Sequence, residues 1–273
     1  MQISAVTNFF RPNSIKQLMR NISSDFLLSS SRSSDGIDPH IVSFVDPDSY
    51  VSEQYKVLCT KIFGKNGERT APRSIVITSA QPGDGKTVTA CNLAATLVKN
   101  FKHRVLLIDA DLRRPAIHSY FGIPRSPGLT DILKGTIGYQ QFVEEPAIRN
   151  LHIIPAGTET SNPGGLLSSI GLKVLLSRIS NKFDTVIFDT SPVLKTADAQ
   201  TLGAYSDSVY FVVKAGVTPR HMVEEAFALL KDTPGAPVGC IMTNNQRIPD
   251  YYSYWTNPHY RHYYRYRSVE KVA

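Results

Sequence analysis

The run Ala80-Gln81-Pro82-Gly83-Asp84-Gly85-Lys86-Thr87 follows the β-branched segment SIVITS and precedes a helical pattern. Its spacing is that of a phosphate loop, with alanine at the first small position. Such a loop works only between a strand and a helix, so these eight residues already commit the chain to α/β architecture. The backbone N–H groups of Gly83, Asp84, Gly85, Lys86, Thr87 and Val88 are expected to turn inward around phosphate oxygens, with the helix dipole behind them. Lys86 would reach the outer phosphates, and Thr87 would offer its hydroxyl to magnesium.

The rest of the chain repeats the same rhythm. After Pro72, the runs SIVITS, RVLLID, LHIIPA, TVIFD, SVYFVVK and VGCIMT read as strands. Between them, helical patterns cover Thr87 to about Asn100, about Gly165 to Ile179, and about Arg220 to Lys231. Alternation of this kind predicts a doubly wound, mostly parallel sheet with helices on both faces. An amphipathic helix over 50–63 is predicted from Val51, Tyr55, Leu58 and Ile62. At 273 residues there is enough chain for one such domain with tails. We delimit a Ser-rich N-terminal arm over 1–40, expected to be mobile, a core domain over 41–247, and a tyrosine-rich C-terminal tail over 248–273.

Ligands of open sheets bind beyond the carboxyl ends of the strands, and here those ends carry charge. Val105-Leu106-Leu107-Ile108 runs into Asp109-Ala110-Asp111-Leu112-Arg113, and Val186-Ile187-Phe188 into Asp189. Alternation aims Asp109 and Asp111 to the same side. A pair so placed can hold magnesium and accept a proton from an attacking hydroxyl, while Arg113 neutralises phosphate charge. Thr87, Asp111 and Asp189 are the expected magnesium ligands, and Lys86, Asp109, Asp111 and Arg113 the expected catalytic residues. Taken singly, Asp109 and Asp111 also fit an acidic turn paired with Arg113 and Arg114, and Asp189 fits a turn cap. Three strand ends converging on one magnesium nucleotide is the more specific reading.

The formal net charge of +7 suits an anionic partner without choosing one. Three scattered cysteines, Cys59, Cys91 and Cys240, fit neither a disulfide framework nor a metal knuckle and point to a reducing compartment. No run approaches the roughly 18 to 20 apolar residues of a membrane span, and the first residues are too polar for a signal peptide. Seven of the 13 tyrosines lie at the end: Tyr251, Tyr252, Tyr254, Tyr260, Tyr263, Tyr264 and Tyr266. They read either as phosphate acceptors or, interleaved with arginine, as a surface that stacks on bases or touches lipid headgroups.

Together AQPGDGKT, VLLIDADLRRP and FDTVIFDTSP resemble the bacterial tyrosine autokinases of capsule and exopolysaccharide export. The resemblance extends through GLTDIL at 128–133, LHIIPAGTETSNPGGLLSS at 151–169, VVKAG at 212–216 and the tyrosine tail, covering about residues 42 to 267. It implies the fold of the MinD and ParA ATPases, with the three motifs as Walker A, A′ and B. It also implies ATP and magnesium (Mg2+) as cofactors and tail tyrosines as acceptors, phosphorylated between subunits. Gln81 stands where the partitioning ATPases carry a lysine, and neither HRD nor DFG occurs, so eukaryotic-type kinase chemistry is excluded.

Further implied are a separate membrane-spanning polysaccharide co-polymerase adaptor, a protein-tyrosine phosphatase, and a cytoplasmic place at the inner face of the plasma membrane. Nucleic acid is not expected. The homo-oligomeric ring of the family rests on an E-x-x-R-x-x-R helix, reduced here to Glu53, Lys56 and Cys59. Lys56 lacks the bidentate geometry of arginine. The alternative function is a P-loop ATPase switch whose basic aromatic tail binds membrane or nucleic acid.

Overall fold

Strands β1 (Ser74–Ser79), β2 (Val105–Asp109), β3 (Leu151–Ile154), β4 (Thr185–Asp189), β5 (Ser208–Lys214) and β6 (Val238–Thr243) form one sheet in the order β3-β2-β4-β1-β5-β6. Every neighbouring pair is parallel. The computed structural model describes residues 36–64, 71–138, 148–231 and 238–244. The arm before residue 36 and the tail with its seven tyrosines lie outside the described residues.

All five residues of β2 and of β4 are buried. A parallel sheet has both faces covered, which is why these runs are continuously apolar rather than alternating. The pleat sends successive side chains to opposite layers. Val76, Leu106, Ile108, Phe188 and Phe211 face one core. It is closed by α5 (Leu129–Leu133), α6 (Pro163–Leu167), α7 (Ile170–Ile179), α8 (Asp198–Gly203) and α9 (Arg220–Lys231). Ile75, Ile77, Leu107, Ile187 and Val212 face the other. Over them lie α2 (Tyr50–Phe63), α3 (Lys86–Phe101) and α4 (Ile117–Phe121), with α1 (Val42–Val45) packed on α2 and α3.

The helix expected from Gly165 to Ile179 is in fact two. Ser168 Oγ donates to the Gly164 carbonyl and Ser169 Oγ to that of Leu166. The serine hydroxyls compete for carbonyls a continuous helix would need, and Ser169 becomes the N-cap of α7. The four- to six-residue helices α1, α4, α5 and α8 are too short to show a hydrophobic period. The end of the proposed arm also packs: Ile37 is buried, Asp38 N donates to Tyr120 O, and Asn92 Nδ2 donates to His40 O. Residues 36–40 thus belong with the domain, anchored on α3 and α4. The three cysteines are free thiols, as expected.

Cys59 has another consequence. It is buried in the core, and Lys56 Nζ lies 3.1 Å from Glu53 Oε2 on the same helix. Of the three positions matching the ring motif, Cys59 faces inward, while Glu53 and Lys56 pair with each other on the partly exposed face of α2.

Candidate active site

Strands β1, β2 and β4 are adjacent, and their register brings Asp109 opposite Asp189 and Asp189 opposite Ile77. Beyond these ends opens a cleft of about 340 Å³ lined by Gly83, Gly85, Lys86, Thr87, Val88 and Asp111, with Arg113 and Ser191 on its wall. Gly83 and Gly85 have φ of +90° and +96°, in the left-handed region that a side chain strains. These turns aim the loop amides into the cleft just before α3 begins.

Lys86 is the hub. Its Nζ lies 2.8 Å from Asp111 Oδ2 and 3.7 Å from Asp189 Oδ1, and it donates to Thr87 Oγ1 at 3.1 Å. Burial would lower the lysine pKa, but Asp189 and Asp111 outweigh it and hold the value up at about 12. Thr87 Oγ1 donates to Asp189 Oδ2 at 2.6 Å. Burial raises the Asp189 carboxyl, offset in part by the Lys86 charge and the Thr87 hydroxyl.

One residue in the expected set behaves otherwise. Asp109 does not line the cleft. It is fully buried, and its Oδ2 accepts from the Ala116 and Ile117 amides, both at 3.0 Å. Burial and the neighbouring Asp189 charge push its pKa up to about 8. Its side chain ties the end of β2 to the start of α4, and of the pair Asp109 and Asp111 only Asp111 faces the cleft. The Asp84 carboxylate likewise turns inward: Oδ1 accepts from Thr218 Oγ1 at 2.7 Å and Oδ2 from Gln81 N at 3.2 Å. With Thr243 Oγ1 donating to the Asp84 carbonyl, the phosphate loop is fastened to β6 and to the segment after β5. Asp84 thus shapes the loop from behind, and only its backbone remains available to a ligand.

Asp109 Oδ1 and Asp189 Oδ1 are buried without a hydrogen-bond partner. Asp109 lies off the cleft, whereas Asp189 Oδ1, 3.7 Å from Lys86 Nζ and beside the Thr87 hydroxyl, is a hard oxygen donor that fits magnesium. Among the described residues no cluster of three or more His, Cys, Asp or Glu side chains forms a complete cage.

Arg114, Tyr120, Ser191, Lys195 and Thr196 also stand on the cleft wall, with the buried Asp198 behind it, and no motif marks them as site residues. Ser191 was legible as part of FDTSP, but nothing in the pattern distinguished it from a turn residue.

An AAA-domain family model matches residues 72–227. The tyrosine-protein kinase YwqD of Bacillus subtilis is 36% identical over 215 residues, covering 79% of this chain and 90% of that protein. The chain belongs to the bacterial tyrosine-kinase family. Against the tyrosine-protein kinase wzc of Salmonella typhimurium this kinase is 32% identical over 182 residues, 66% of its length, but spans only 25% of that longer protein. Among solved structures, the kinase domain of the Escherichia coli tyrosine kinase ETK superposes with a TM-score of 0.70 at 27% identity, covering 74% of this chain and 79% of that one. A Cyanothece McdA protein solved with ATP shares the fold at a TM-score of 0.54 and 23% identity, over 62% and 69% of the two chains.

Proposed function

We propose that this kinase moves the γ-phosphoryl group of ATP onto tyrosines of its own C-terminal tail, between subunits. The observation that carries the reading is the Lys86 hub: one largely buried cation, the Asp111 carboxylate and the Thr87 hydroxyl facing a cleft rimmed by loop glycines, with the Asp189 carboxylate buried behind them. When the nucleotide enters, Lys86 exchanges Asp111 for phosphate oxygens. Thr87, Asp111 and Asp189 would hold magnesium, which neutralises charge building on the phosphates. The tyrosine oxygen attacks γ-phosphorus, the bond to the β–γ bridging oxygen breaks, and ADP leaves with that electron pair. The phenolic proton passes to Asp111, the carboxylate facing the cleft. Arg113 and the loop amides hold the phosphates in line.

Each phosphate adds about −1.5 to −2 charges, so a few convert a basic tail to an acidic one. In this reading the change regulates polymerisation or export of a surface polysaccharide. A membrane-spanning adaptor brings the kinase to the inner face of the plasma membrane, and a phosphatase resets the tail. The relatives support this by their two lengths, one matched over 90% of its length and one of which the match covers only 25%. No helix among the described residues is long and apolar enough to cross a membrane.

The test pairs two variants. A Lys86→Met chain with an intact tail is mixed with an active chain in which all seven tail tyrosines are phenylalanine. Label from γ-phosphate-labelled ATP should appear on the Lys86→Met chain only in the mixture. Release of all label to water, with neither chain modified, would leave the ATPase switch in place of the kinase.

A further inference from the structure

Behind the cleft, four charged or hydroxyl side chains from three separate segments meet in a line. Asp111 follows β2, Ser191 follows β4, Asp198 opens α8, and Arg113 stands two residues after Asp111. Ser191 Oγ lies 2.9 Å from Asp111 Oδ1 and 3.2 Å from Asp198 Oδ2. Asp198 Oδ2 lies 3.6 Å from Arg113 Nε. Ser191 and Asp198 are 2% and 3% exposed, whereas the Arg113 side chain is 45% exposed on the cleft wall. The line continues through Asp111 Oδ2 to Lys86 Nζ.

A buried aspartate off the cleft wall is costly to keep unless its charge is used. Among the described residues Asp198 has one cationic neighbour in reach, Arg113, and its side chain accepts from one hydroxyl, that of Ser191. The serine has a single proton, so it donates to one carboxylate at a time. With the guanidinium against Asp198, that carboxylate is satisfied and the proton is free to bond Asp111. If Arg113 swings toward incoming phosphate, Asp198 loses its cation and draws the serine proton back. Asp111 Oδ1 is then released as Lys86 also leaves Oδ2.

We propose that Asp198 is a positioning residue, acting through Ser191 and Arg113 to set the orientation and availability of Asp111 as phosphate binds. The inference rests on nucleotide phosphates occupying the Lys86 cleft. It is therefore read by ATP consumption, which counts turnover whether the phosphoryl group ends on tyrosine or on water.

The experiment is a double-mutant cycle with Asp198→Asn, Arg113→Gln and the pair, with Ser191→Ala as a second probe of the same line. Asp198→Asn keeps the shape and removes the charge. We expect it to lower kcat about tenfold while KM for ATP moves less than about threefold, because an interaction used only at the transition state is lost. The pair should be no slower than the slower single, since both changes break one line. A readout free of nucleotide comes from crystal structures of the unliganded variants. In Ser191→Ala the Asp111 carboxylate loses its Oδ1 bond and should rotate away from its 2.8 Å contact with Lys86, whereas in Asp198→Asn the serine proton stays on Asp111 and the carboxylate should keep both contacts. Additive losses in the cycle, full turnover in Asp198→Asn, an unmoved Asp111 in Ser191→Ala, or a Ser191 turned off Asp111 in Asp198→Asn would each overturn the proposal. Wild-type ATP consumption without phosphotyrosine would sink the kinase reading and leave the cycle to be judged on its own numbers.

Discussion

Replacing Lys86 by methionine is expected to lower phosphoryl transfer by about 10²- to 10³-fold or more, the loss seen when a single preorganised charge at a reacting centre is removed. Two separate effects act in the same direction. The nucleotide loses the cation that meets its outer phosphates, and three carboxylates lose the charge that screens them from one another. Asp109 and Asp189 are buried beside one another, and both are already raised by that burial. Methionine fills the volume but leaves the acids facing one another across it.

A second measurable consequence follows from the same acids. A carboxyl whose folded pKa is about 8, against about 4 unfolded, binds more protons in the folded state across that window. Stability of the nucleotide-free protein therefore falls as pH rises from about 4 to about 8. In Lys86→Met the fall should be steeper, because the cation that eases ionisation is gone. Urea unfolding midpoints at pH 6 and pH 8, without nucleotide or magnesium, measure this. Equal pH slopes in the two proteins would show that Lys86 does not govern the acids.

Replacing Phe188 by alanine should cost about 3–5 kcal/mol of stability, the range for emptying a large buried aromatic site. Phe188 is fully buried on β4, in register with Val76 of β1 and Ile108 of β2, all three in the same core layer. Strands hydrogen-bonded on both sides leave little freedom to collapse around the space. Since a whole domain is stable by only about 5–15 kcal/mol, the variant should lose a large part of its unfolding free energy in urea. Its neighbour Asp189 should lose its hydrogen bond to Thr87 in part of the population, so turnover falls with it. A cost below about 1 kcal/mol would mean the layer repacks and that Phe188 does not hold β4 in place.

Much of this site could be read before any coordinates because its motifs are local. A glycine-rich turn between strand and helix determines where the amides point, and an acid directly after an apolar strand must emerge at the sheet edge. Strand order follows less directly from sequence, yet the ends of β1, β2 and β4 do lie side by side behind the Lys86 cleft. What stayed hidden depends on partners that no motif marks, some of them far along the chain. Asp84 turns inward because Thr218 and Thr243 wait there, 134 and 159 residues away. Asp109 is drawn from the cleft by amides at the start of α4, a helix of five residues with no period to reveal it. Asp198 and Ser191 meet because α8 folds back over the end of β4. On α2 the apolar spacing of Val51, Tyr55, Leu58 and Ile62 marks a helix but not its buried face, which is Ser52, Cys59 and Phe63, with Val51 exposed.

The central claim is that the cleft delivers phosphate to the tail, and the most direct measurement is peptide-level mass spectrometry of the purified protein after incubation with magnesium ATP. It is run beside Lys86→Met, with and without a membrane-spanning partner protein. The account predicts phosphate on tyrosines between Tyr251 and Tyr266 in the wild type and none in the variant. An unmodified tail in every sample, with inorganic phosphate released by the wild type, would contradict it.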